Sequence, residues 1–163
     1  MSAPRASWVL CAGLTTLDVV HQITAPPRWG RKERSVGGEL VAGGPAANAA
    51  VTAARLLGGA RLVTAIGDGP GADAVRADLA AHQVQVTDLA PPSWPLPVAS
   101  ALVDVHTGER TVISPGALGG RGVTVGGQES DTAPDTAAVT ALDGVLDEPV
   151  RDAAAVLLDG HHP

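Results

Sequence analysis

The 163-residue sequence contains no phenylalanine, no tyrosine, one methionine and one cysteine, Cys11. Without those aromatics the core must come from Ala, Val and Leu with three tryptophans, which suits closely packed layers and excludes an aromatic-rich binding face. A lone cysteine permits no internal disulfide, fits a reducing compartment and excludes a zinc site built from cysteines. Charge is also scarce. Acidic residues outnumber basic ones 17 to 11, for a net charge of −6, and the only basic cluster is the short "RWGRKER" at 28–34, so the footprint of a nucleic-acid binder is missing. No segment approaches the roughly 20 apolar residues of a membrane span. The apolar run from Trp8 to Leu14 is cut off by Thr15, Thr16 and Asp18, too soon for a secretory signal, and Leu10 is too large for a lipoprotein cleavage site before Cys11. These exclusions predict a soluble, cytoplasmic domain with neither nucleic acid nor membrane as partner.

What is present is glycine, proline and small apolar residues in an ordered alternation of patterns. "SWVLCAG" at 7–13 is a short continuous apolar run ending in glycine, as in a strand buried on both faces of a parallel sheet, and a loop holding Asp18 follows it. "VVHQIT" and "RSVGGELVA" read as two short extended segments joined by an irregular link containing Pro26 and Pro27. From Pro45 the pattern becomes helical: Ala46, Ala49, Ala50, Ala53, Leu56 and Leu57 fall on one face, proline occupies the first helical position, and Gly58-Gly59 supply the stop. "RLVTAIG" at 61–67 repeats the buried-strand signature. A second helix follows near Ala72–His82, with Ala72, Val75 and Leu79 inward, and "VQVTDL" reads as a third strand. Strand, helix, strand, helix predicts a parallel α/β sheet. "VASALVDV" and "RTVIS" flank "HTGE", a hairpin with Gly108 in its turn that lies outside the parallel sheet. The Gly- and Ser-rich stretch at 115–135 predicts a loop, residues 136–146 a helix, and "AAAVLLDG" a last strand.

Chemistry concentrates at "VAGGPAANAA". Glycine at 43 and 44 lets another group approach the main chain, and the start of a helix offers unpaired N–H donors beside a partial positive charge. The segment matches neither GxxxxGK[ST] nor GxGxxG, and Pro45 removes a donor that a phosphate would use, so a neutral polyol fits better. Asn48 can both donate to and accept from a sugar hydroxyl, and Asp18 adds an acceptor at the end of the first strand, where crevices of open α/β sheets lie. The same residues also fit a plainer reading, in which Asn48, Thr52 and Arg55 form a solvated helix stripe and the glycines a tight turn. His161 and His162 lack a third ligand and give no metal site, Asp159-Gly160 reads as a strand exit, and His106 belongs to the hairpin turn.

"AGLTTLDVV" at 12–20, "AGGPAANAAVTAARLLG" at 42–58 and "IGDGPGADAVRADLAAHQV" at 66–84 together resemble the N-terminal half of the ribokinase-like (PfkB) carbohydrate kinases. The resemblance runs from about residue 8 to 118 and returns at "VLLDGHHP". It implies a ribokinase-like parallel sheet flanked by helices with a small β lid, the lid formed by segments about 20–41 and 98–114, and sugar-hydroxyl ligands at Asp18, Gly43, Gly44 and Asn48. It implies ATP and Mg2+ as cofactors of the complete enzyme, a sugar or related polyol as partner, and a homodimer through the lid or an exposed sheet edge. Thr16 stands where members often carry asparagine, which argues against ribose as the substrate. The family's GxGD segment, whose aspartate is the general base and whose N–H groups form the anion hole, has no counterpart in these 163 residues. The chain is therefore expected to be an N-terminal fragment without a catalytic residue, without a nucleotide site and without turnover of its own. A non-catalytic polyol-binding module is the alternative.

Overall fold

The computed structural model describes residues 8–91, 93–115 and 153–159. In chain order the elements are β1 (Val9–Ala12), β2 (Thr16–Ile23), β3 (Gly37–Gly43), α1 (Pro45–Leu57), β4 (Ala60–Thr64), α2 (Pro70–Ala81), β5 (Val84–Asp88), β6 (Val98–Asp104), β7 (Arg110–Ile113) and β8 (Ala155–Leu158). They form two sheets. The first has the order β5-β4-β1-β8 with every neighbouring pair parallel. The second has the order β3-β2-β6-β7, antiparallel except for the β2–β6 pair. The parallel sheet flanked by helices is the architecture that the alternating pattern predicts, and the hairpin strands lie outside it, with Gly108 at φ 73° in their turn.

The core is built from small side chains. Leu10, Cys11, Leu62, Ile66, Val75 and Leu79 are fully buried, and the buried face of α1 is alanine alone, Ala46, Ala47, Ala50, Ala53 and Ala54, with Val51 half-buried beside it. The sequence pattern assigns Leu56 and Leu57 to this face, but they are 78% and 46% exposed, while Ala47 and Ala54 take the inward positions. An all-alanine face lets the helix axis approach the strands closely, and leucines in the last turn overhang the sheet instead of entering it. α2 buries Ala72, Val75 and Leu79 as the spacing predicts. Among the described residues β8 is an outer strand, and its side chains are exposed.

The sheets meet at residues 13–15, where the chain leaves β1 and enters β2. Thr15 and Thr64 are buried polar residues at this seam: the Thr64 hydroxyl donates to the Gly13 carbonyl (2.7 Å) and lies 2.9 Å from the Thr15 hydroxyl. Thr15 looks like a loop residue in the sequence, yet it and Thr64 satisfy one another inside the protein. Side chains alternate along a strand, so β2 faces two ways. Leu17 joins the core against Gly71 of α2, with Ala42 and Val98 beside it, while Thr16 and Asp18 face the opposite side. Residues 116–152 and 160–163, and with them the expected loop, the helix at 136–146 and the His161–His162 pair, lie outside the described residues. Among the described residues no helix is long and apolar enough to cross a membrane.

Candidate functional site

The antiparallel register of β2 and β3 sets Thr16 opposite Gly43 and Asp18 opposite Val41. Asp18 is therefore not in a loop at the end of the first strand, as the sequence suggests, but is the third residue of β2 in the second sheet. Its carboxylate leans across to the main chain of Gly43, so that a Cβ added there would coincide with Asp18 Cγ and both carboxylate oxygens. The bareness of Gly43 makes room for this side chain. The Thr16 hydroxyl donates to Asp18 Oδ1 at 2.6 Å, a short charge-assisted bond that fixes the carboxylate and leaves Oδ2 available as an acceptor.

Gly44 is the N-cap of α1, with φ 92° and no side-chain cap. Its glycine is required twice: positive φ suits a residue without Cβ, and a Cβ would collide with the Leu14 carbonyl. Pro45 has no N–H, and those of Ala46 and Ala47 lie too early in the helix for an intrahelical carbonyl. The first turn carries no acidic side chain, so the helix start is an uncompensated positive end beside Asp18 and Gly43. Polyol hydroxyls need both an acceptor and donors, and this corner supplies both.

Asn48 sits one turn into α1. Its backbone N–H donates to the Gly44 carbonyl (3.0 Å), its carbonyl accepts from the Thr52 hydroxyl (2.8 Å), and its side chain is exposed and makes no hydrogen bond to another described residue. Asn48, Thr52 and Arg55 do form an exposed stripe, as the plainer reading has it. The structure thus joins Asp18 to Gly43 by contact and joins Gly44 and Asn48 to them through the main chain of α1, with no hydrogen bond between the Asp18 and Asn48 side chains.

Three carboxylates that the sequence left without a role hold the surrounding loops. Asp159, at the end of β8, accepts the Leu14 N–H through Oδ2 (2.8 Å) and packs on Gly13. It is thus more than a strand exit, because Leu14 is the residue whose carbonyl abuts Gly44. Asp88, at the end of β5, accepts N–H bonds from Ile66 (2.9 Å), Gly67 (3.1 Å) and Ala90 (2.9 Å) and an ion-paired bond from Arg76 (2.6 Å). Burial alone would raise its pKa, but these bonds outweigh burial and hold the carboxyl below its ordinary range. Asp78 of α2 accepts the Ala42 N–H at 2.9 Å. Carboxylates on polar strand ends read as solvated in a sequence; only the register that brings distant amides to them reveals their use. His106 does lie in the β6–β7 turn, where its N–H and that of Thr107 donate to Asp104, lowering the pKa of that carboxyl.

Solved structures of carbohydrate kinases superimpose on this fold. A carbohydrate kinase from Agrobacterium tumefaciens superimposes with a TM-score of 0.67 at 16% identity, over 97% of this chain and 47% of its own. Ribokinase from Giardia lamblia gives 0.66 at 18% identity, over 96% and 42%. Ribokinase from Arabidopsis thaliana, solved with ribose and ATP, gives 0.57 at 21% identity, over 98% and 47%. The chain spans less than half the length of each of these proteins, and at such identities the likeness shows the fold. No curated protein matches the sequence. The family model for pfkB family carbohydrate kinases matches residues 9–159, nearly all of the chain and every element from β1 to β8. On that match, this chain belongs to the pfkB family of carbohydrate kinases.

Proposed function

We propose that these residues form the sugar-binding part of an ATP-dependent kinase that phosphorylates a hydroxymethyl group of a sugar or related polyol. The observation that carries the reading is the Asp18 carboxylate laid against the bare main chain of Gly43 at the start of α1. Asp18 accepts from a sugar hydroxyl, the glycine pair lets the ring approach the backbone, and the first-turn amides donate to its oxygens. Asn48 reaches the same ligand from one turn further along α1. The second sheet, with Asp18 on one face, serves as a lid that keeps water from the acceptor hydroxyl.

ATP supplies the phosphoryl group in this family, with Mg2+ as its counter-ion. Among the described residues no group of three or more His, Cys, Asp or Glu could hold a metal ion, and the part proposed for these residues is to bind and orient the acceptor. The 163 residues contain no GxGD segment, and phosphoryl transfer depends on such a base and anion hole. The chain by itself therefore binds sugar without turning it over.

Calorimetric titration with pentoses, fructose and nucleosides, with and without ATP, tests this. Sugar-dependent heat without ATP consumption is the expected result. Silence with every ligand overturns the sugar-binding reading, and ATP consumption by the chain alone overturns the reading that it binds sugar without turning it over.

A further inference from the structure

We propose that Asp78 is a positioning residue for the glycine pair, holding the main chain of Ala42–Gly44 in the conformation that admits a ligand. The inference rests on the sugar-binding reading above. β3 is an edge strand of the second sheet, with β2 on one side only. Amides on its outer side therefore have no strand to pair with, and a buried unpaired amide is costly. Asp78 Oδ2, from α2 and 36 residues away in sequence, accepts one of them, the Ala42 N–H, at 2.9 Å. Ala42 is the residue directly before Gly43, so the anchor acts one peptide from the contact between Gly43 and Asp18.

Asp78 is itself held. His82 Nδ1 lies 2.9 Å from the Asp78 carbonyl and 3.6 Å from its Oδ1, and His82 Nε2 lies 3.1 Å from Arg55 Nη2. Arginine only donates, so Nε2 accepts from Arg55, and the ring proton resides on Nδ1 and is donated to the Asp78 carbonyl. Arg55 belongs to the last turn of α1, whose first turn begins at Gly44. The path from Arg55 through His82 and Asp78 to Ala42 therefore closes a ring around α1. The last turn of that helix and the residues entering its first turn are both tied to α2, and the glycine pair lies inside the ring. Asp78 makes no hydrogen bond to Asp18, Gly43 or Gly44, so its hold on the glycine pair runs through the Ala42 N–H.

The test uses the full chain with Asp78→Ala, Asp78→Asn and, as a control on the same helix, Asp73→Ala. Amide hydrogen exchange at Ala42, Gly43 and Gly44 is read against the core amides of Leu62 and Val63. D-ribose and D-fructose serve as binding probes. Asp78→Ala should speed exchange at Ala42–Gly44 at least tenfold with the core unchanged, and weaken whichever probe binds the wild type by about tenfold, about 1.4 kcal/mol. Asp78→Asn, which keeps an acceptor oxygen, should restore both, and Asp73→Ala should alter neither. Unchanged exchange at Ala42 in Asp78→Ala overturns the proposal. Faster exchange with unaltered sugar affinity overturns the positioning role and leaves only a structural one. A wild type that binds neither probe counts against the sugar reading alone, since the exchange data still decide whether Asp78 holds the glycine pair.

Discussion

Replacing Gly43 with alanine separates the close approach of Asp18 from every other role of that glycine. Gly43 is not among the residues with positive φ, so its backbone accepts alanine without strain. In isolation the change would stabilise the protein by about 0.4–1 kcal/mol, because alanine restricts the unfolded chain. The new Cβ, however, occupies the space of the Asp18 carboxylate. Asp18 must swing away, which breaks the 2.6 Å bond from Thr16. A hydrogen bond to a charged group contributes about 1.5–3 kcal/mol, and the half-buried position of Asp18 lets water repay part of it. The net loss for Gly43→Ala is about 1 kcal/mol, or about 2–4 °C in Tm for a chain of this size. With Asp18→Ala already in place nothing obstructs the methyl, and Gly43→Ala should then stabilise. The sign of the effect reverses between backgrounds, with a coupling of about 1.5–2 kcal/mol. Urea denaturation of the wild type, both single variants and the double variant measures it. Additivity within about 0.5 kcal/mol, the limit for residues that do not touch, would refute the contact on which the site is built.

Four further outcomes follow from the same geometry. Asp88 has a lowered folded pKa, so its contribution is complete above the ordinary carboxylate value of about 3.9 and drains away as pH falls through the lower folded value; Asp88→Asn should flatten the acid limb of the urea midpoint plotted against pH. Asp159→Ala leaves the Leu14 N–H without its acceptor and should cost about 1 kcal/mol in urea melts, whereas Asp159→Asn should recover most of it. Cys11 is fully buried, and burial raises its thiol pKa; labelling by a thiol reagent should therefore await opening of the core and accelerate with urea in step with global unfolding. Ala47→Val adds two carbons to a fully buried contact of α1 and should destabilise by about 1–3 kcal/mol, which calorimetric melting will show.

Much of the parallel sheet is legible in the sequence because its strands are continuous apolar runs and its helices carry punctuation: Pro45 and Pro70 at the first turns, Gly58 at φ 84° as the C-cap of α1. The glycine pair is legible too, because few other demands require two bare residues before a proline. The place of Asp18 is not, since Thr16 and Asp18 carry the polarity of a loop, and only pairing of β2 with β3 and β6 puts them in a strand. The inward face of α1 is read correctly at Ala46, Ala50 and Ala53 but misread in the last turn, because a hydrophobicity pattern prefers leucine to alanine, while packing against a sheet prefers the smaller side chain. Asp78, Asp88 and Asp159 escape notice for a common reason: each accepts an amide that comes from another element, and sequence separations of 36, 22 and 145 residues leave no local trace.

A helix whose buried face is alanine alone has little rotameric slack beneath it. Longer side chains could flex to absorb a displacement, but alanine has no side-chain torsion that moves a heavy atom, so a shift of α1 must either open a void or press backbone against backbone. The opening turn of the helix thus inherits its placement directly from the strands below. A ligand gripped there is registered against the whole parallel sheet, and the tolerance of that grip is set by the thinnest layer in the protein.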